Sequence, residues 1–208
     1  MLRASDFDHL VIAVPNLVEG VEQFESRLGV RAVPGGSHPG LGTANALLGI
    51  DGHSYLEILG PDPDQDPALA AGRLAGIVEP TVQRWAVRPE DFDGLVAAAA
   101  TTTDVDLGEV HDMARRTPDG EVLEWRLTRR TPLALGGVQP FLIDWLDSPH
   151  PASREMPRIG LERLWASSPD VDGTRSVLRF LGANLEVEAG ETDRLHTTLK
   201  GPGGSWTL

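Results

Sequence analysis

The stretch FDHLVIAVPNLVEGVEQFESRLG, residues 7–29, decides the fold. Residues 7–14 alternate around an apolar centre, as a strand with two differently loaded faces does. His9, Val11 and Ala13 fall on one face, and Leu10, Ile12 and Val14 on the other. Pro15-Asn16 ends the strand. Leu17, Val21, Phe24 and Leu28 then recur at helical spacing up to Gly29, a residue suited to a helix C-terminus.

Working outward, residues 31–33 are followed by a glycine-rich connection, and residues 43–50 and 53–59 read as strands around an Asp51-Gly52 turn. The unit is βαβββ. PDPDQDP, residues 61–67, breaks it off as a loop. The order then returns with strand-like residues 83–87, a helix over 89–102, and strands over 109–115, 121–128 and 138–145, with a turn at 117–120. A four-stranded sheet with one helix leaves a face uncovered, so two such units are expected to pair around a hollow. The predicted fold class is therefore α+β. Paired βαβββ modules (about 6–60 and 82–147, within a 1–150 domain) form a cupped mixed sheet. A shortened third pass, a partial βαββ module over 158–208, follows a Pro/Ser-rich linker.

Apolar residues make up 40% of the 208-residue chain and charged residues 24%, which suits a globular protein with a sizeable core. No cysteine occurs, which removes disulfides, thiolate metal sites and a cysteine nucleophile. Thirty-one acidic residues against 18 basic ones give a formal charge of −13, a field that repels nucleic-acid phosphates. No apolar run approaches the roughly 18 residues of a membrane span, and the first residues lack the apolar core of a signal peptide. A cytoplasmic protein with a small-molecule ligand, and neither nucleic acid nor membrane as partner, is expected. Neither a P-loop nor a G-x-S-x-G motif is present.

Taken in order, DHLVIAVPNL with FESRLGV, PGGSHPGLGTANALLGI, YLEILGPDP, RWAV, MARRTPDG, EWRL, and PFLIDW with SPHP resemble the glyoxalase-like branch of the vicinal oxygen chelate superfamily, over about residues 6–151. The resemblance implies the glyoxalase/bleomycin-resistance-like cup. It also implies a divalent metal (Zn, Ni, Mn or Fe) held from the first and last strands of each module. In the first module the matching positions are His9 and Glu57, half of a His/carboxylate site. Glu57 would be a ligand or the base that moves a proton. The second module departs from the pattern. Val82 or Gln83 stands opposite His9, depending on alignment, and Ile143 or Asp144 opposite Glu57.

Further candidates are the basic pair Arg115 and Arg116, only one of which can face the hollow, and Arg126. Each could hold an anionic group. Trp85, Trp125 and Trp145 are candidate walls for a ligand, and Asn45 and His150 candidate contacts. His38 and His53 are expected in solvated turns, and His111 and His196 without obvious partners. The expected function is that of a small-molecule lyase or isomerase acting through a metal-stabilised enediolate. The competing reading is a drug-sequestering protein of the bleomycin-resistance type, whose acidic surface would suit a cationic compound. A ring-cleaving dioxygenase would need a second histidine. A homodimer would cover sheet surface left by the third unit.

Overall fold

The computed structural model describes residues 7–117 and 120–208; residues 1–6, and the centre of the turn predicted at 117–120, lie outside the described residues. The first module runs β1 (Phe7–Ala13), α1 (Leu17–Leu28), β2 (Val33–His38), β3 (Thr43–Gly49) and β4 (Tyr55–Pro61). A short helix α2 (Pro67–Ala71) leads to the second: β5 (Thr81–Val87), α3 (Phe92–Ala99), β6 (Glu109–Arg116), β7 (Val122–Arg129) and β8 (Phe141–Asp144). Local chemistry sets the ends of α1. The Asn16 side chain accepts from the N–H groups of Val18 and Glu19, and Gly29 closes the helix in the left-handed region at φ 71°.

The eight strands close in the order β1-β4-β3-β2-β6-β7-β8-β5. Both modules pair their first strand in parallel with their last, β1 with β4 and β5 with β8. One seam joins β1 to β5 antiparallel; the other is a single bridge between Ser37 and Arg116. An eight-stranded barrel leaves an interior that side chains nearly fill or that holds one small ligand. The glycine-rich PGGSH, expected as a loop, is strand β2 instead. It pairs with β3 through an irregularity between Pro34 and Gly36. A Cβ on Gly35 would lie 2.2 Å from Asn45 Oδ1 and 2.7 Å from an Arg115 nitrogen, so the bare backbone makes room for two inward polar side chains.

The C-terminal segment consists of β9 (Gly160–Ser168), α4 (Val171–Phe180), β10 (Glu186–Ala189), β11 (Arg194–Gly201) and β12 (Gly204–Thr207). It has one strand more than the sequence suggests, the four-residue β12. Its strand order, β10-β9-β11-β12, also differs from the modules. Here the first strand pairs in parallel with the strand directly after the helix, not with the last. The segment repeats the element order of a module without its topology. Leu164, Ala166, Val187, Leu195 and Leu199 join the core outside the barrel formed by Phe7, Leu10, Ile12 and Phe24. On the opposite face Arg163 bridges Glu186 and Glu188.

The β11–β12 hairpin is seated on α1. Trp206 meets Phe24 edge-on at 4.9 Å between ring centres, and the Gly203 N–H donates to the Leu28 carbonyl at 2.8 Å. A Cβ on Gly201 would stand 2.1 Å from that same carbonyl oxygen. Gly201→Ala is therefore expected to lower unfolding stability by about 1–3 kcal/mol through overpacking. Urea denaturation checks this, and an unchanged midpoint would contradict the seam.

Candidate active site

Strand alternation turns a set of polar side chains into the barrel. His9, Asn45, Glu57 and Arg115, all buried, line a cavity of about 50 Å³, with His38, Tyr55, Arg73 and Arg84. Met113, Trp125, Leu127, Phe141, Ile143 and Trp145 complete its wall. Behind it sits Asp8, fully buried. The β1–β5 register slips between Phe7 and His9, so Asp8 leaves the outer face that it would share with Leu10 in a regular strand.

Asp8 Oδ1 lies 2.6 Å from His9 Nδ1. Its Oδ2 accepts from Trp145 Nε1 at 3.1 Å and lies 3.1 Å from His150 Nε2, while an Arg88 nitrogen stands 3.5 Å away. Nδ1 of His150 accepts the Ala152 N–H at 3.1 Å, so Nε2 carries the proton that His150 gives to Asp8. Burial pushes the Asp8 carboxyl up, but hydrogen bonds and charge from His150 and His9 outweigh it and hold the group well below the usual carboxylate range. An ionised Asp8 makes His9 Nδ1 a donor and leaves Nε2 to the cavity. The His9 ring is clamped, stacked on Tyr55 at 4.6 Å and edge-on to Phe141 at 5.4 Å.

Across the cavity, Glu57 Oε1 accepts from Asn45 Nδ2 at 2.7 Å, and Asn45 Oδ1 accepts from Arg115 at 3.0 Å. Glu57 Oε2 stands 3.6 Å from His9 Nε2, and Oε1 stands 3.9 Å from His38 Nε2. Burial raises the Glu57 carboxyl, but His38, His9, Asn45 and Arg84 together leave it below its ordinary value. His38 is lowered to about 4: burial dominates, Glu57 opposes it, and Arg115, Arg73 and Arg84 add to it. Burial, with the charges of Asp8 and Glu57, raises the Tyr55 hydroxyl well above the ordinary phenol value, so it remains a phenol.

The structure thus brings His9, Asn45, Glu57, Arg115, Trp125 and Trp145 together, with His150 reaching the site through Asp8. Other candidates lie elsewhere. Trp85 packs in the core outside the barrel and donates its indole N–H to the Val138 carbonyl at 2.8 Å. Val82 belongs to that same core, and Gln83 donates to the Arg73 carbonyl at 2.8 Å. A second register shift, between Val11 and Ile12, accompanies this, and Arg84 is the cavity-lining residue. On β8, Ile143 lines the cavity, while Asp144 pairs with Arg126, which also grips Asp93. The Arg116 side chain lies outside the described residues. His38 is no solvated turn residue, since β2 carries it into the cavity. His53 is exposed, His111 approaches Arg129 at 3.3 Å, and His196 stacks on Trp165 at 5.2 Å.

The donor set does not fit the divalent metal that the resemblance implies. A catalytic metal needs about three protein ligands around one point. His9, His38 and Glu57 face the same cavity, but among the described residues no three His, Asp or Glu side chains are arranged to hold a metal ion. The second module supplies Arg84 and Ile143 where it would need donors, and the cationic Arg73, Arg84 and Arg115 occupy the same wall. Added positive charge there would be opposed, not held.

Two βαβββ modules closed around one polar hollow define the vicinal oxygen chelate fold. The chain belongs to the glyoxalase-like domain family, whose model matches residues 7–182. It is similar in structure to a hypothetical protein from Staphylococcus aureus, at 15% identity and a TM-score of 0.67, over 97% of each chain. A methylmalonyl-CoA epimerase variant from Streptomyces coelicolor, in complex with 2-nitronate-propionyl-CoA, aligns at 25% identity and a TM-score of 0.47, over 67% of this chain and 96% of that one. The Mycobacterium tuberculosis methylmalonyl-CoA epimerase aligns at 22% and 0.45, over 69% and 90%. No curated protein matches the chain. No helix among the described residues is long and apolar enough to cross a membrane.

The buried His38 has a consequence for stability. Above pH 6.5 the ring is neutral in both folded and unfolded chains. As pH falls from 6.5 towards about 4, the unfolded chain takes up a proton that the folded one refuses. Stability is therefore expected to drop across that window by about 3 kcal/mol on account of this one ring. Urea midpoints measured from pH 7.5 to 4 should show a shallower fall for His38→Gln than for the natural protein. Equal slopes would contradict the burial.

Proposed function

We propose that this protein is a small-molecule enzyme of isomerase or lyase type that moves a proton at a carbon beside a carbonyl oxygen. The observation that carries the reading is the facing of Glu57 Oε2 and His9 Nε2 at 3.6 Å inside the closed barrel, with Asp8 holding the far side of the imidazole. Two acceptors held face to face are poised to pass one proton between them.

Glu57, kept ionised, takes the proton from the substrate carbon, and the freed electron pair moves onto the adjacent oxygen. Arg115, steadied by Asn45, supplies positive charge and N–H donors for that developing oxyanion. His9 receives the proton from Glu57 at Nε2 and returns it to a second atom of the substrate. Asp8 stabilises the imidazolium formed on the way. The route needs no Lewis acid, in keeping with the donor set. The space of about 50 Å³ is well below that of a typical drug-binding cavity. The guanidiniums on the wall disfavour a cationic drug. Binding without turnover is the second reading, supported by the paired Trp125 and Trp145 rings, 5.3 Å apart.

Hydrogen–deuterium exchange of a panel of small α-keto and α-hydroxy acids, followed by NMR in D₂O, separates the two. The natural protein is expected to exchange the proton beside the carbonyl with at least one of them. Glu57→Gln and His9→Gln should each slow that exchange by about 100-fold or more. Undiminished exchange in Glu57→Gln would overturn the assignment, and binding without exchange would favour the second reading. Elemental analysis of protein purified without chelator should find well under one metal per chain. Stoichiometric metal that vanishes in His9→Ala and Glu57→Ala would restore the metal route.

A further inference from the structure

We infer that the substrate carries an anionic group, a carboxylate or phosphate, held by Arg84 with Arg73 and Arg129 where the reaction cavity meets a second one. The inference rests on the proposed function for the location of the reacting end. A second cavity of about 40 Å³ adjoins the first, and both are lined by Arg84, Leu127 and Phe141. Arg84 therefore belongs to both spaces. Its guanidinium lies over the Phe141 ring, 5.5 Å from the centre, and its Nε is enclosed without a hydrogen-bond partner. A buried N–H of a charged group without an acceptor is costly, and an entering oxyanion would supply the missing one. Arg73 faces the first cavity and Arg129 the second.

Among the described residues, none of these three arginines makes an ion pair with a carboxylate. Arg31, Arg126, Arg130 and Arg163 all do so elsewhere. In a chain with 31 acidic residues against 18 basic ones, acidic partners are not scarce. Among the described residues the carboxylate whose charge acts on Arg73 and Arg84 is Glu57, already engaged by Asn45. Burial, with the charges of Arg84 and Arg129, lowers Arg73 to about 10, which still leaves it charged at neutral pH. Guanidinium forks match the planar carboxylate and the phosphate oxygens alike. A substrate placed this way has its reacting carbon at Glu57 and its anionic end at Arg84. A cationic drug is the wrong sign for both cavities.

Isothermal titration with malonate, and separately with inorganic phosphate, tests the site without any turnover. Saturable binding of at least one anion, one per chain, is expected, and the tighter of the two identifies the natural group. Arg84→Gln and Arg129→Gln should each weaken it by about tenfold or more. Arg84→Lys should fall between, and Arg31→Gln, which changes an exposed residue paired with Glu25, should bind normally. Thermal melting of each variant confirms that it is folded. Saturable binding of neither anion, or natural affinity in folded Arg84→Gln and Arg129→Gln, would overturn the inference. That result would leave the proton-transfer reading to its own exchange experiment.

Discussion

A carboxylate without solvent must be surrounded by donors, and Asp8 is where this protein meets that requirement. Its oxygens draw in His9 from its own strand, Trp145 just past the end of β8 and His150 from the following loop. Three separate parts of the chain are pinned to one buried charge. Removing any donor would leave that charge undercompensated, which costs far more than one surface hydrogen bond. The chemistry of the cavity follows from the same constraint. An ionised Asp8 fixes which imidazole nitrogen of His9 carries hydrogen, and so which one meets Glu57.

The outside and inside of the molecule carry opposite charge. The surface is dominated by acids, in keeping with a formal charge of −13, while the hollow is walled by Arg73, Arg84 and Arg115 around one glutamate. Net charge says little about a ligand when the binding groups are enclosed and screened from the exterior. The fold makes this inversion feasible. Gly35 leaves the gap through which Asn45 and Arg115 meet, and each barrel strand sends alternate side chains inward.

Much of the barrel was legible from residue spacing. The alternation in β1 and the helical stripe of α1 define a module, and its recurrence implies a partner around a shared hollow. His9 and Glu57 stand where the family resemblance places them, and alternation agrees in sending both inward. Between Arg115 and Arg116 alternation allows only one to face the hollow without saying which, and Asn45 stands out as an amide just after the glycine-rich stretch. What escaped has identifiable causes. Asp8 enters through a strand irregularity, and Arg84 replaces Val82 or Gln83 beside a register shift; neither is encoded in a two-residue period. His38 sits in a glycine-rich stretch whose strand character comes from pairing with β3, not from its own residues. Trp85 shows the opposite error: a large aromatic on a strand fills the packed outer layer as readily as the hollow. The C-terminal strands repeat a familiar order of elements, but element order does not dictate which strands become neighbours.

The chemistry of the cavity depends most directly on which nitrogens of His9 and His150 hold hydrogen. Nitrogen-15 NMR of the imidazole rings at pH 8, assigned with His9→Gln and His150→Gln, reads this without any substrate. His9 is expected as the Nδ1–H form with a strongly deshielded proton, and His150 as the Nε2–H form; Asp8→Asn should abolish the deshielded signal. A His9 ring found as the Nε2–H form, indifferent to Asp8→Asn, would contradict the account at its centre.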